Sequence, residues 1–201
     1  MNVELEYYFL ERHSTKLSFA VSLLDDYSRG KPVGRVDVSL KGRKEEAVKN
    51  PSSYYLFLDL PEETYTVQVR SEYYFDEETS VSPHTLDRNN PVVDIALKQK
   101  PSYPFPPGAT LIRGTVYDSE GTAVPGADVW VEGKDLESET TEQGEFVLRF
   151  RPLTEDDIII ENGKRFVKGN GDKIIHLNVD GVTEPIELEV EEGKTTTVII
   201  K

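Results

Sequence analysis

The sequence predicts an all-β protein built as two tandem antiparallel β-sandwiches, and three observations lead there. Apolar residues recur with a period of two, glycine and asparagine turn signals separate the runs, and one stretch of the first half repeats in the second. Val36, Val38 and Leu40 alternate in the first copy as Ala127, Val129 and Val131 do in the second, the pattern of a strand with one face inward. No dozen residues keep a helical apolar stripe free of proline or glycine. Turns are marked by Ser28-Arg29-Gly30, Ser119-Glu120-Gly121, Gln143-Gly144 and Asn170-Gly171.

The repeat aligns Gly30 to Gly42 (GKPVGRVDVSLKG) with Gly121 to Gly133 (GTAVPGADVWVEG) at an offset of 91, with five of thirteen positions identical. Asn90 to Lys98 and Gly193 to Lys201 share a closing-strand pattern. Between the copies, Pro101, Pro104, Pro106 and Pro107 remove amide donors and favour an extended path. The expected division is therefore a sandwich over 1–99, a semi-rigid connector over 100–108 and a second sandwich over 109–201. Val3 to Leu10 reads as an additional strand.

Tyr54, Leu56 and Leu58 are taken as the inward set matching Phe146, Leu148 and Phe150, which sends Tyr55 and Phe57 outward. Trp130, the only tryptophan, stands between the inward Val129 and Val131 and must face the other way. Tyr103 and Phe105 alternate within the connector. Trp130, Tyr55, Phe57, Tyr103 and Phe105 are thus the candidate ligand or partner contacts. Packing between domains is the competing use of such aromatics.

Composition narrows the function. With 37 acidic and 23 basic side chains the chain carries a net charge of −14, divided as −4 over residues 1–100 and −10 over 101–201, so a nucleic acid backbone is repelled and a basic partner should favour the second half. The absence of cysteine excludes disulfides and thiolate metal clusters, and His13, His84 and His176 lack metal-ligand spacing. No apolar run is long enough for a membrane helix, and Met1 to Leu10 lacks the form of a secretory signal, so a cytoplasmic location is expected. Gly193-Lys194-Thr195 resembles the end of a phosphate loop, but Leu188 stands where that loop needs glycine. The runs Glu62-Glu63, Asp76-Glu77-Glu78, Glu155-Asp156-Asp157 and Glu191-Glu192 could offer oxygen ligands to calcium, yet none has the spacing of a complete calcium loop and solvated charge is the favoured reading.

Gly114-Thr-Val-Tyr-Asp118-Ser-Glu-Gly121-Thr-Ala-Val124-Pro-Gly126-Ala127-Asp-Val129-Trp-Val131, followed by Thr141-Glu-Gln-Gly144-Glu-Phe146, resembles the carboxypeptidase regulatory-like domain. That resemblance implies a prealbumin-like (transthyretin-like) sandwich within the broader immunoglobulin-like class, with Gly144 letting Phe146 enter the core. It covers roughly 110–152 and the final strand, and is weaker in the first copy. The segment from Leu153 to Glu192 departs from it, and within it Glu161-Asn-Gly163 to Asp180-Gly181 looks like an inserted hairpin. Domains of this kind are generally noncatalytic accessories. The expectation is accordingly a structural or adaptor protein that binds other proteins, without metal, organic cofactor or enzymatic activity. Carbohydrate binding through outward aromatics is the alternative.

Overall fold

The computed structural model describes residues 14–201; the strand expected at Val3 to Leu10 and His13 lie outside the described residues. About 46% of the described residues are strand and 3% helix, so the all-β expectation holds. Two compact units form. Of the described residues, the first gathers 14–24, 36–70 and 76–97, and the second gathers 25–35, 71–75 and 98–201. The segment 100–108, read from sequence as a connector, is thus counted with the second unit, together with two stretches that precede it in the chain.

The strands of the first unit are β1 (Leu17–Asp25), β2 (Val36–Leu40), β3 (Val48–Lys49), β4 (Tyr55–Leu58), β5 (Tyr65–Ser71), β6 (Glu77–Val81) and β7 (Val92–Leu97). They form one sheet in the order β3-β4-β1-β7 and another in the order β2-β5-β6. Phe19, Val21, Tyr55 and Phe57 are buried from the first sheet, and Leu40, Tyr65, Val67, Val69 and Val81 from the second. Phe19 stacks on Phe57 at 4.8 Å and meets Tyr65 of the facing sheet at 6.1 Å.

This core reverses the orientation expected for β4. Tyr55 and Phe57 point inward, Phe57 being 1% exposed, whereas Tyr54 is 36% exposed. The cause is a slip of one residue: at the repeat's offset of 91, Tyr55 falls on Phe146 and Phe57 on Leu148, but the expectation aligned Tyr54 with Phe146. A slip of one residue turns every side chain to the opposite face.

The second unit contains β8 (Leu111–Val116), β9 (Asp128–Val131), β10 (Glu137–Glu139), β11 (Glu145–Arg149), β12 (Ile158–Glu161), β13 (Lys164–Val167), β14 (Ile174–Val179), β15 (Ile186–Glu189) and β16 (Thr195–Ile200). Sheets β10-β9-β14-β15 and β11-β8-β16 enclose a core to which Val129, Val131, Ile175, Leu177 and Val179 contribute from one side and Ile112, Val116, Phe146, Leu148 and Ile200 from the other. The hairpin β12–β13 spans 158–167 and overlaps only the first part of the 161–181 hairpin expected from sequence, the rest of which holds the core strand β14.

The two units share a strand plan. The order β4-β1-β7 matches β11-β8-β16, and β2-β5-β6 matches β9-β14-β15. Ala20 N donates to Pro91 O at 2.8 Å as Leu111 N donates to Lys194 O at 3.0 Å, so equivalent bonds join equivalent strands. The short strands differ, since β3 extends the sheet of β4 whereas β10 extends that of β9. The pairing of β16 departs from an antiparallel plan, because it runs parallel to β8 from Thr195↔Leu111 to Ile200↔Val116. A parallel neighbour requires a long crossover, which the intervening sandwich supplies.

The glycine that admits Phe146 is Gly114 of β8. A Cβ there would lie 2.6 Å from the Phe146 ring and 2.7 Å from Val198 O, so only a bare backbone fits. Gly144 serves the turn itself, at φ +72°, with Val116 O 2.6 Å from a Cβ placed there.

The register of β4 predicts that Phe57→Ala will cost about 3–5 kcal/mol of unfolding free energy, the loss typical of a core aromatic. Tyr54→Ala should cost less than about 1 kcal/mol. Denaturant titration of the two variants checks the contrast.

Candidate functional site

Two features of the second unit hold the residues nominated from sequence. The first is the outward face of β10-β9-β14-β15. Its orientation is pinned at the start of β9 by the buried Thr140, whose Oγ1 accepts from Ala127 N at 2.8 Å and donates to Val124 O at 2.6 Å. Thr140 N also donates to Ala127 O at 3.0 Å. With these bonds made, Val129 and Val131 enter the core, and Trp130 stands on the opposite face, 40% exposed.

The register surrounds Trp130 with acids. Glu137 of β10 and Asn178 of β14 lie directly opposite it, Glu139 pairs with Asp128 one step along, and Glu132 follows on its other side. Beyond β14, His176 pairs with Glu187 and Ile174 with Glu189. Three cationic or polar groups of the same unit meet this face: Lys98 Nζ lies 3.0 Å from Glu137, Lys173 Nζ lies 2.9 Å from Glu189 and also pairs with Glu161, and His176 Nδ1 lies 3.7 Å from Glu132. Asp128, Glu139 and Glu187 are exposed and have no ion pair among the described residues.

The second feature is a buried carboxylate. Asp25, 0% exposed, accepts from Tyr103 Oη at 2.6 Å and Tyr74 Oη at 3.0 Å on one oxygen. The other oxygen accepts from Gln99 Nε2 and Tyr27 N, both at 2.7 Å, and from Ser28 N at 3.4 Å. Five donors fill the acceptor capacity of a carboxylate, so Asp25 clamps the segments 25–35, 71–75 and 98–105 together and has no lone pair left for proton transfer.

Around the clamp, Tyr103 packs on Phe105 at 4.7 Å, and both meet Tyr27 edge-on at 5.9 and 5.5 Å. Arg149 lies 4.6 Å over Tyr27 with Asp26 at 3.8 Å, and Arg113 lies 5.6 Å over Phe105 while donating to Pro101 O at 2.7 Å. Tyr103 and Phe105 are therefore packing residues of this unit, not a presented surface: prolines remove donors, but the amides of Tyr103 and Phe105 still close turns onto Lys100 O and Tyr103 O. Tyr55 and Phe57 lie in the core of the first unit, so of the five nominated aromatics Trp130 alone is exposed.

Asp25 escaped the sequence reading although a signal was present. It continues the inward series Phe19, Val21, Leu23 at period two, and an acid in that position demands buried donors.

Most of the remaining nominees have local partners. Glu63 pairs with Arg43, Asp76 with Arg70 at 3.8 Å, Glu78 with Lys41 at 2.8 Å, Glu155 with Arg165 at 3.0 Å and Glu191 with Lys194 at 2.8 Å. Glu192 also pairs with Arg165, and Asp157 forms a capping box with Thr154. Among the described residues no group of three His, Asp or Glu side chains is placed to hold a metal ion. Gly193 N donates to Thr110 Oγ1 at 2.8 Å, which makes Gly193-Lys194-Thr195 the entry to β16. His84 sits in a single 3-10 turn, Pro83–Thr85.

No family model and no curated protein matches the chain. Among solved structures it is similar to the Bacillus anthracis TIE protein, at 14% identity and TM-score 0.30 over 91% of this chain and 33% of that one. A streptococcal ancillary pilin follows at 13% identity and TM-score 0.28, over 93% and 62%. The shaft pilin of Lactobacillus rhamnosus GG follows at 10% identity and TM-score 0.28, over 92% and 97%. The chain thus spans about a third and three fifths of the first two structures. Scores this low establish neither a shared fold nor a shared role.

Burial raises the carboxyl of Asp25, but hydrogen bonds from Tyr103, Tyr27 N, Tyr74 and Ser28 N together hold it below the ordinary value of 3.8. Burial, followed by the bond to Asp25 and its charge, pushes the Tyr103 phenol up, and burial pushes Tyr74 up to about 12. A carboxylate depressed in the folded state contributes stability that is complete above its unfolded pKa and disappears as pH falls through the folded one. Below about pH 4 the melting temperature should therefore fall. Tyr103→Phe, which keeps the ring and removes the bond to a charged acceptor, should cost about 2 kcal/mol at neutral pH and reduce that acid sensitivity.

Proposed function

We propose that the chain is a noncatalytic β-sandwich protein that acts as a structural or adaptor module, taking a protein partner on the outward face of β10-β9-β14-β15. The observation that carries this reading is the exposure of Trp130 at the centre of that face, where cross-strand pairing encircles it with polar and charged side chains. An aromatic group inside a polar rim is the composition of a binding hot spot, and a flat sheet held by a packed core presents it without ordering cost. Sugar binding would favour a row of aromatics. With Tyr55 and Phe57 turned inward and Tyr103 buried, the protein partner is the better supported occupant.

We also read the second unit as a carboxypeptidase regulatory-like sandwich. Two turns support this: Asp118 Oδ1 accepts from Glu120 N at 2.9 Å and Thr122 N at 2.8 Å around Gly121 at φ +83°, and Thr141 O accepts from Gly144 N at 2.8 Å. On the duplicated strand plan, the first unit is a second copy of the same module.

Trp130→Ala should change unfolding free energy by less than about 1 kcal/mol, because an exposed side chain leaves no core cavity. The same variant should lose a protein captured from lysate by the wild-type chain. Wild type and variant placed in parallel on a glycan array test the alternative, and saturable glycan binding that the variant loses would overturn the protein-binding reading.

A further inference from the structure

The outward face of β9 also carries information about the chemistry of its occupant, on the reading that this face is the binding surface. Residues two apart on a strand are about 7 Å apart, and directly opposed side chains on neighbouring strands have Cβ atoms about 5 Å apart. Asp128 therefore flanks Trp130 along β9, Glu137 and Glu139 flank it from β10, and Asn178 closes the side toward β14. A group lying on the indole meets carboxylates on two sides.

One of these carboxylates already holds a cation of the same unit. Lys98 pairs with Glu137 at 3.0 Å, and this hydrogen bond, aided by the charges of Glu137 and Glu139, outweighs the desolvation that opposes it and keeps the ammonium protonated. Glu139 and Asp128, paired with each other across the strands, remain exposed and make no ion pair among the described residues, although Lys98 feels the charge of Glu139. Like charges directly opposed across a sheet are destabilising, and a bound cation relieves that repulsion.

We infer that this face reads an arginine-bearing segment of a protein partner, with the guanidinium flat on the Trp130 indole and its edges donating to Glu139 and Asp128. Charge complementarity selects a cation, and the indole selects a planar one. A guanidinium stacks on an aromatic face and still offers five in-plane donors to carboxylates, whereas an ammonium is a compact point charge without a stacking plane. The second unit uses the same arrangement internally: Arg149 lies 4.6 Å over the Tyr27 ring, with the Asp26 carboxylate 3.8 Å from its guanidinium.

The test pans a random dodecapeptide display library against the full-length wild-type chain, with the Trp130→Ala chain as counter-selection. Selected peptides are then synthesised and titrated by calorimetry. Trp130-dependent peptides should share an arginine, and replacing that arginine by its neutral isostere citrulline should weaken binding about tenfold or more, with lysine in its place recovering only part of the loss. Glu139→Gln should weaken the arginine peptide and leave the citrulline peptide unchanged, and added salt should erase the difference between the two peptides. Trp130-dependent peptides that carry no arginine, or that bind equally well with citrulline, overturn the inference while preserving the binding face. A failure to select any Trp130-dependent peptide overturns both.

Discussion

The alternation of side chains along an extended backbone is the constraint on which the rest of this structure depends. Once Val129 and Val131 are committed to the core, Trp130 has no choice of face, and the bonds from Thr140 at the head of β9 keep the strand from slipping to the other setting. Cross-strand register then passes the decision outward: fixing β9 fixes which residues of β10 and β14 stand beside the indole. An apolar core thereby determines the composition of a surface that it does not touch. Gly114 belongs to the same logic, since its missing side chain lets the Phe146 ring fill the opposite layer.

The polar counterpart of that core is Asp25. Five hydrogen bonds gather three separate stretches of the chain around one carboxylate and draw in Tyr103, Tyr74 and Tyr27 with it. Such a group favours one arrangement over looser ones because each alternative leaves a buried charge without its donors. Segments with little regular structure, including the proline-rich one, become a fixed part of the second unit in this way, and their aromatic rings serve packing.

The repeat, the β class and the exposure of Trp130 could all be read from residue order, because alternation and turn chemistry are local signals. What failed was non-local. Tyr55 and Phe57 read as outward because Tyr54, Leu56 and Leu58 form an equally regular alternating series, and only the contact with Phe19 in the folded sheet breaks the tie. The repeat's own offset would have chosen correctly. Tyr103 and Phe105 lay in a stretch whose prolines suggest independence, whereas their fixation comes from an aspartate far earlier in the chain. The parallel pairing of β16 with β8 joins the first and last strands of a unit, a relation that no short window of sequence contains.

The surface around Trp130 joins these threads, since it combines a register set by the core with a charge pattern set by strand pairing. Its central claim is that the indole is open to solvent within a negative field. The most direct measurement is quenching of the single tryptophan's fluorescence in the native full-length chain by caesium and by iodide at matched, low ionic strength. Efficient quenching by caesium with clearly weaker quenching by iodide is the predicted result. Quenching that favours iodide, or emission that neither ion reaches until the protein unfolds, would contradict it.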